Sequence, residues 1–244
     1  MTGLPFKQTE IVKDFAGLQK IIFGPPKIGK TTFCSHIVDL EGRKPAFIAT
    51  EDGHSFLEVM ACRVTSWVGF KKLVDTLYDQ KESLNLEYSG LVVDIVCDLE
   101  DWCHTYILQR EHAKTLKDAG DFGGGYKMFA DEFKTPFSKL FSVAKCTFIT
   151  HETEREIKDE ITGITKKRVV PMLGNKAMKY INGKCDCIIR MHNYNGETLI
   201  SMTEGGGGSL AGSRCKALAK DFVFHHDDPF KTYQEIQSTF TEGE

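Results

Sequence analysis

Residues 21–32, IIFGPPKIGKTT, carry the residue types and spacing that handle phosphate. Gly24, Gly29, Lys30 and Thr31 satisfy the pattern GxxxxGK[ST]. The required context is present too, with an apolar run before the pattern and the helix-compatible TTFCSHIVDL after it. Across Gly24, Pro25, Pro26, Lys27, Ile28, Gly29, Lys30, Thr31 and Thr32 the backbone can cradle a polyphosphate, with the positive end of a helix dipole beneath it. Lys30 can neutralise β- and γ-oxygens, and Thr31 can ligate Mg²⁺. Such a metal needs a carboxylate at the end of a neighbouring strand, and LVVDIVCDL offers Asp94 after three apolar residues. Asp98, one helical turn later, is the competing choice, and a strand-end aspartate can also simply cap a helix. Hydrolysis needs a group that orients water, and Glu51 stands at the tip of PAFIATEDG to do it. Asp52 is adjacent, and the plainer alternative is two solvated acids opening a turn at Gly53.

Short apolar runs alternating with longer amphipathic stretches could position these residues, and that rhythm predicts an α/β fold. The expected architecture is a mostly parallel central sheet flanked by helices. Strands are expected at 20–24, 45–50, 90–96, 146–150 and 185–191, most of them apolar enough to be buried on both faces. After them ETLISMT and SLAGSRCKALA, joined by EGGGG, predict a C-terminal antiparallel hairpin; the run GGGGS at 205–209 also resembles a linker. KDAGDFGGGYK (117–127) reads as a loop because of its glycines. Residues 152–176 read as a loop because they are polar and charge-dense. No internal repeat is visible.

With 244 residues and 41% hydrophobic content, the chain can bury one sizeable core, and a single domain is expected. Within it, 1–19 is a lead-in, 20–230 the core and 231–244 a tail. A formal charge of −3 excludes a chain-wide basic surface, so any nucleic-acid contact must be local. The start MTGLPFKQTE lacks a signal-peptide pattern, and no apolar run approaches the roughly 20 residues that span a bilayer. Reduced thiols in the cytoplasm and no membrane partner are the expectation. The eight cysteines lack structural zinc spacing; Cys97, Cys103, Cys185 and Cys187 are expected to be buried free thiols.

Taken in order, these segments resemble the RecA-like P-loop ATPase core, and most closely the small phage-type ATPases of single-strand annealing and recombination. The likeness runs from about Ile21 to Phe230. It implies ATP and Mg²⁺ as cofactors, Glu51 as catalytic base and Asp94 as metal partner. TFITHETER puts Thr150 and His151 where that family senses the γ-phosphate, with His151 in place of an amide side chain. The stretch 152–176, closed by LGNKAMKYINGKCDCIIRM, resembles the second DNA-binding loop and implies Arg155, Lys158, Lys166, Lys167, Arg168 and Lys176 as phosphate contacts. DFGGGYK resembles the first loop, implying Phe122, Tyr126 and Lys127. LAGSRCKALAKDFVFHHDDPF resembles the last core strands and implies that Arg214, Lys216 and Lys220 reach a neighbouring subunit's nucleotide. The implied partners are single-stranded DNA, further copies of the chain in a ring or filament, and a single-strand-binding protein, in the host cytoplasm for a phage protein. Annealing rather than full strand exchange is implied, since about twenty residues precede the first core strand. Rival readings are a ring helicase or loader, a small-molecule kinase, and a nucleotide-gated adaptor. For the two loops and the final basic residues, ordinary solvated surface is the bland alternative.

Overall fold

The computed structural model describes residues 11–158, 165–203 and 209–243, without the side chains at 122, 157 and 158. In chain order the elements are β1 (Lys20–Phe23), α1 (Lys30–Ser35), β2 (Ala46–Ala49), β3 (Met60–Arg63), α2 (Trp67–Asp79), α3 (Lys81–Glu87), β4 (Leu91–Asp94), α4 (Val96–Arg110) and α5 (Gly124–Val143). There follow β5 (Cys146–Thr150), β6 (Glu152–Lys158), β7 (Thr165–Pro171), α6 (Asn175–Lys184), β8 (Cys187–Tyr194), β9 (Glu197–Ser201), β10 (Gly212–Ser213), β11 (Asp221–Val223) and α7 (Pro229–Glu242). The apolar runs at β1, β4 and β5 are buried throughout, as strands covered on both faces must be.

The main sheet has the order β11-β9-β8-β1-β5-β4-β2-β3, with β10 beside β8. Neighbours from β3 through to β8 are parallel, while β9 runs antiparallel to β8, and β11 to β9. Helices α2, α4 and α5 pack on one another and α5 on α6, whereas α1 packs on α7. This mostly parallel sheet with flanking helices and C-terminal antiparallel strands is the expected fold class. It sends the loops after β1, β2, β4 and β5 to one edge, where open α/β sheets bind ligands.

Behind that edge lies an aromatic spine. Phe129, Phe133 and Phe137 recur one turn apart on α5 and meet Trp67 and Phe70 of α2, with Trp67 stacked on Phe133 at 6.1 Å and Phe133 on Phe137 at 4.3 Å. The one polar atom of Trp67, Nε1, donates to Glu132 at 2.8 Å. Lys20 is the unusual core member: its Nζ donates to the carbonyls of Phe15, Ala16 and Leu18 at 2.8, 3.1 and 2.6 Å. Burial pulls its pKa down to about 8, while those three acceptors satisfy every ammonium proton.

Four departures from the sequence reading have identifiable causes. Within 152–176 the described residues are mostly regular structure and not loop: β6 and β7 form a separate two-stranded antiparallel ribbon, followed by α6. Its alternation is of charge rather than hydrophobicity, and Glu and Lys are weak strand formers, so no strand signal appears. In 117–127 Gly120 and Gly123 turn the chain at positive φ and Gly125 marks a close approach. A Cβ on Gly125 would run into the carbonyls of Leu116 and Ala119, and α5 starts at Gly124, so Tyr126 and Lys127 lie in a helical first turn. The C-terminal antiparallel pairing begins earlier than ETLISMT with SLAGSRCKALA. β9 turns back on β8 through Asn195-Gly196, both at positive φ, and its second partner is β11. Finally β3, exposed at all four residues on the sheet edge, overlaps the short run 59–62, which Glu58 and Arg63 bracket and which is less bulky than the buried strands. Of GGGGS, residues 205–208 lie outside the described residues.

Candidate nucleotide site

Between β1 and α1 the chain makes the turn that a phosphate loop requires. Gly29 sits at φ 105°, and a side chain there would strike Phe224. Gly24 has no room for a Cβ because the Met191 carbonyl of β8 lies against it. Both glycines are thus fixed by the backbone. The loop opens on a cavity of about 380 Å³ lined by Lys27, Gly29, Lys30, Thr31, Thr32, Glu51, Asp94 and His151 among others. A larger cleft of about 600 Å³ lies at 196–198, 223–228 and Lys231, but the phosphate-loop backbone and its lysine line the smaller one.

Lys30 is buried and its Nζ donates to the carbonyls of Gly24 and Pro25 at 2.9 and 2.8 Å. Burial lowers its pKa, against the pull of Asp94 and then Glu152. Thr31 Oγ1 donates to Asp94 Oδ2 at 2.8 Å, which brings a hydroxyl and a carboxylate together at the mouth of the loop. Burial pushes the Asp94 carboxyl up, the Thr31 hydroxyl opposes this, and the charge of Glu51 adds to it. A buried acid driven towards its neutral form is one that a cation would keep ionised, so Thr31 and Asp94 fit a Mg²⁺ ion. Asp98 does not line the cavity. It begins α4 and accepts from Thr50 Oγ1 at 2.7 Å.

Glu51 lies exposed on the cavity rim, while its neighbour Asp52 turns away to pair with Arg63 of β3. His151 forms part of the wall, with Nδ1 buried and without a hydrogen-bond partner among the described residues. Burial, then Lys30, lowers its pKa, which keeps the imidazole neutral at neutral pH.

The ribbon starts one residue after His151. Its base is closed by Met172 N donating to the His151 carbonyl at 2.8 Å and Thr150 Oγ1 donating to the Met172 carbonyl at 3.3 Å. The register pairs Thr153 with Val170, Arg155 with Arg168 and Ile157 with Lys166 on one face. On the other it pairs Glu154 with Val169 and Glu156 with Lys167. Glu152 with Pro171 and Lys158 with Thr165 complete the second set, so one face is basic and the other is mixed with an acidic excess, Glu152, Glu154 and Glu156 against Lys158 and Lys167. Lys167 belongs to the mixed face, 4.0 Å from Glu154. Arg155 is tied down, donating to Asn175 Oδ1 at 2.7 Å and to the Leu173 carbonyl. Glu100 of α4 holds the same corner, accepting from Gly174 N through both oxygens, at 3.0 and 2.8 Å.

Other expected residues lie apart from the cavity. Lys176 is exposed in the first turn of α6, and Tyr126 and Lys127 are exposed at the start of α5. The side chains of Phe122 and Lys158 are outside the described residues. Arg214 donates to Asp186 Oδ1 and to the Gly183 carbonyl, both at 3.1 Å; Lys216 lies in a 3₁₀ turn; Lys220 sits 5.1 Å from the Phe222 ring centre. None of the three lines the cavity of its own subunit. All eight cysteines are free, six of them buried, and burial pushes the thiols of Cys97, Cys103, Cys185 and Cys187 up.

Residues 16–215 match the AAA domain. The chain belongs to the AAA domain family. With its phosphate loop intact, this AAA domain is a P-loop ATPase. No curated protein sequence matches it. Its fold is similar to that in the crystal structure of the RadB recombinase, with 13% identity over 86% of this chain and 87% of that one and a TM-score of 0.48, a distance at which no residue role carries over. Among the described residues of this AAA domain no helix is long and apolar enough to cross a membrane.

Proposed function

We propose that this AAA domain is a Mg²⁺-dependent ATPase of phage-type recombination that binds single-stranded DNA and promotes annealing of complementary strands in the cytoplasm. The observation that carries the reading is His151: it lines the nucleotide cavity, and the next residue begins a ribbon with a basic face.

Lys30 and the loop amides hold the triphosphate. Thr31 and Asp94 hold Mg²⁺, which when bound neutralises charge on the β- and γ-oxygens. Glu51 on the rim orients the attacking water. The neutral imidazole of His151 donates one hydrogen bond to the γ-phosphate. Because the His151 carbonyl accepts from Met172, a shift at His151 moves both strands of the ribbon base together. Lys166 and Arg168 on the basic face, with Lys167 and Lys158 on the ribbon, Lys176 at α6 and Arg155 at the corner, meet DNA phosphates. Tyr126 and Phe122 stack on bases beside Lys127. The copies form a ring or filament, in which Arg214, Lys216 and Lys220 reach a neighbour's nucleotide, and a single-strand-binding protein supplies the DNA.

The test is fluorescence anisotropy of a labelled single strand and of the matching duplex, with a non-hydrolysable ATP analogue, with ADP, and without nucleotide. Tighter single-strand binding with the analogue, lost in His151→Ala, is the expected result. Equal affinity in all three nucleotide states would end the coupling, and no DNA binding at all would end the reading.

A further inference from the structure

Arg190 and Glu152 do not line the cavity, but they sit on the strands that flank the root of its phosphate loop and the start of the ribbon. Arg190 of β8 is in register with Phe23, the residue before Gly24, and the next carbonyl along, that of Met191, lies against Gly24 itself. The Arg190 backbone therefore abuts the root of the phosphate loop. Its Nε donates to Glu152 Oε2 at 3.0 Å, with the side chains only 15% and 24% exposed. Glu152 is the first residue of the ribbon, and its charge reaches Lys30, where it comes next after that of Asp94 in holding the ammonium's proton. A carboxylate there repels an incoming polyphosphate, and a half-buried ion pair is weak evidence of a stabilising role. A guanidinium on a backbone that abuts the root of the loop, held by one carboxylate, is in contrast suited to exchange that partner for a phosphate offering several charged oxygens.

We propose that Arg190 is a phosphate-binding residue specific for the triphosphate, held in reserve by Glu152. The γ-phosphate draws the guanidinium from Glu152 and thereby frees the first residue of the ribbon from β8. This rests on the cavity being the nucleotide site and is independent of whether the ribbon binds DNA.

The two variants carry opposite signs, which a merely structural pair would not. Affinities of the full chain for ADP and for a non-hydrolysable ATP analogue, both with Mg²⁺ and without DNA, are measured by calorimetry. In Arg190→Gln the preference for the triphosphate falls by about tenfold or more, because a charge-assisted bond to the γ-phosphate is gone, while ADP affinity changes little. In Glu152→Gln the preference rises, since Arg190 is released. Arg190→Lys keeps the charge without the fork and falls between. Thermal midpoints without nucleotide report folding, and if Arg190→Gln does not fold, the sign in Glu152→Gln decides. Equal losses for ADP and analogue in both variants, or an unchanged ratio in both, overturn the proposal while leaving the nucleotide site standing. A wild-type chain that binds neither nucleotide overturns the site and the proposal together.

Discussion

The nucleotide cavity and the β6–β7 ribbon meet at His151 and are built on opposite principles. At the cavity each functional group sits at the end of a buried strand: Lys30 and Thr31 after β1, Glu51 after β2, Asp94 in β4, His151 after β5. The packed sheet fixes those ends, so positions in the chain become positions in space. The ribbon forms its own two-stranded sheet, and its character comes from which residues pair across it, basic on one face and mixed, with an excess of acids, on the other. Rigid placement serves chemistry that needs sub-ångström geometry, whereas in the proposed function the two-faced ribbon is what meets a long charged partner.

The sharpest separation of the two comes from Lys30→Ala. Removal of the phosphate-binding ammonium is expected to cut ATP hydrolysis by about a thousandfold or more while leaving nucleotide-free DNA affinity intact. Steady-state hydrolysis and anisotropy on the same preparation check it, and a parallel loss of DNA binding would mean that the regions are not separable. The corner between them is probed by Glu100→Gln, which leaves Gly174 N with a neutral acceptor in place of a buried carboxylate. About 1–2 kcal/mol of stability should be lost, read from urea denaturation, with tryptic cleavage in the ribbon accelerated.

A smaller effect is expected on the basic face. Lys166→Ala should flatten the salt dependence of single-strand affinity by about 0.7 in log–log slope without changing hydrolysis in the absence of DNA. An unchanged slope would transfer the DNA surface elsewhere. The mildest change tests the scaffold below the cavity. Folded Lys20 releases its proton near 8, whereas the unfolded chain holds it to the ordinary 10.5, so between those values the unfolded state binds more protons and stability climbs with pH. Denaturation midpoints across that window should rise in the wild type relative to Lys20→Met. A constant difference between the two would show that the three carbonyls compensate burial fully.

The comparison also explains what was legible in the sequence. The phosphate loop and the carboxylates at strand ends were readable because glycines, a lysine and apolar runs report backbone geometry directly. Glu51 and Asp94 are preferred to Asp52 and Asp98 on the sequence alone; what the sequence does not show is that Arg63 and Thr50, from distant parts of the chain, pair with those two alternatives. The ribbon was hidden by its charge, and β3 by its exposure. Asn195-Gly196 was a readable hairpin signal that the glycine run at 205–208 drew attention from. The Arg190–Glu152 pair spans 38 positions and has no local signature at all.

The central claim is that the cavity hydrolyses ATP and that DNA on the ribbon controls it. Steady-state ATP hydrolysis, with and without a long single strand, in wild type and Glu51→Gln, tests this most directly. Stimulation by the strand in wild type and loss of turnover in the variant, by about a hundredfold or more, is the predicted result. Turnover indifferent to DNA, or equal in the two proteins, would contradict it.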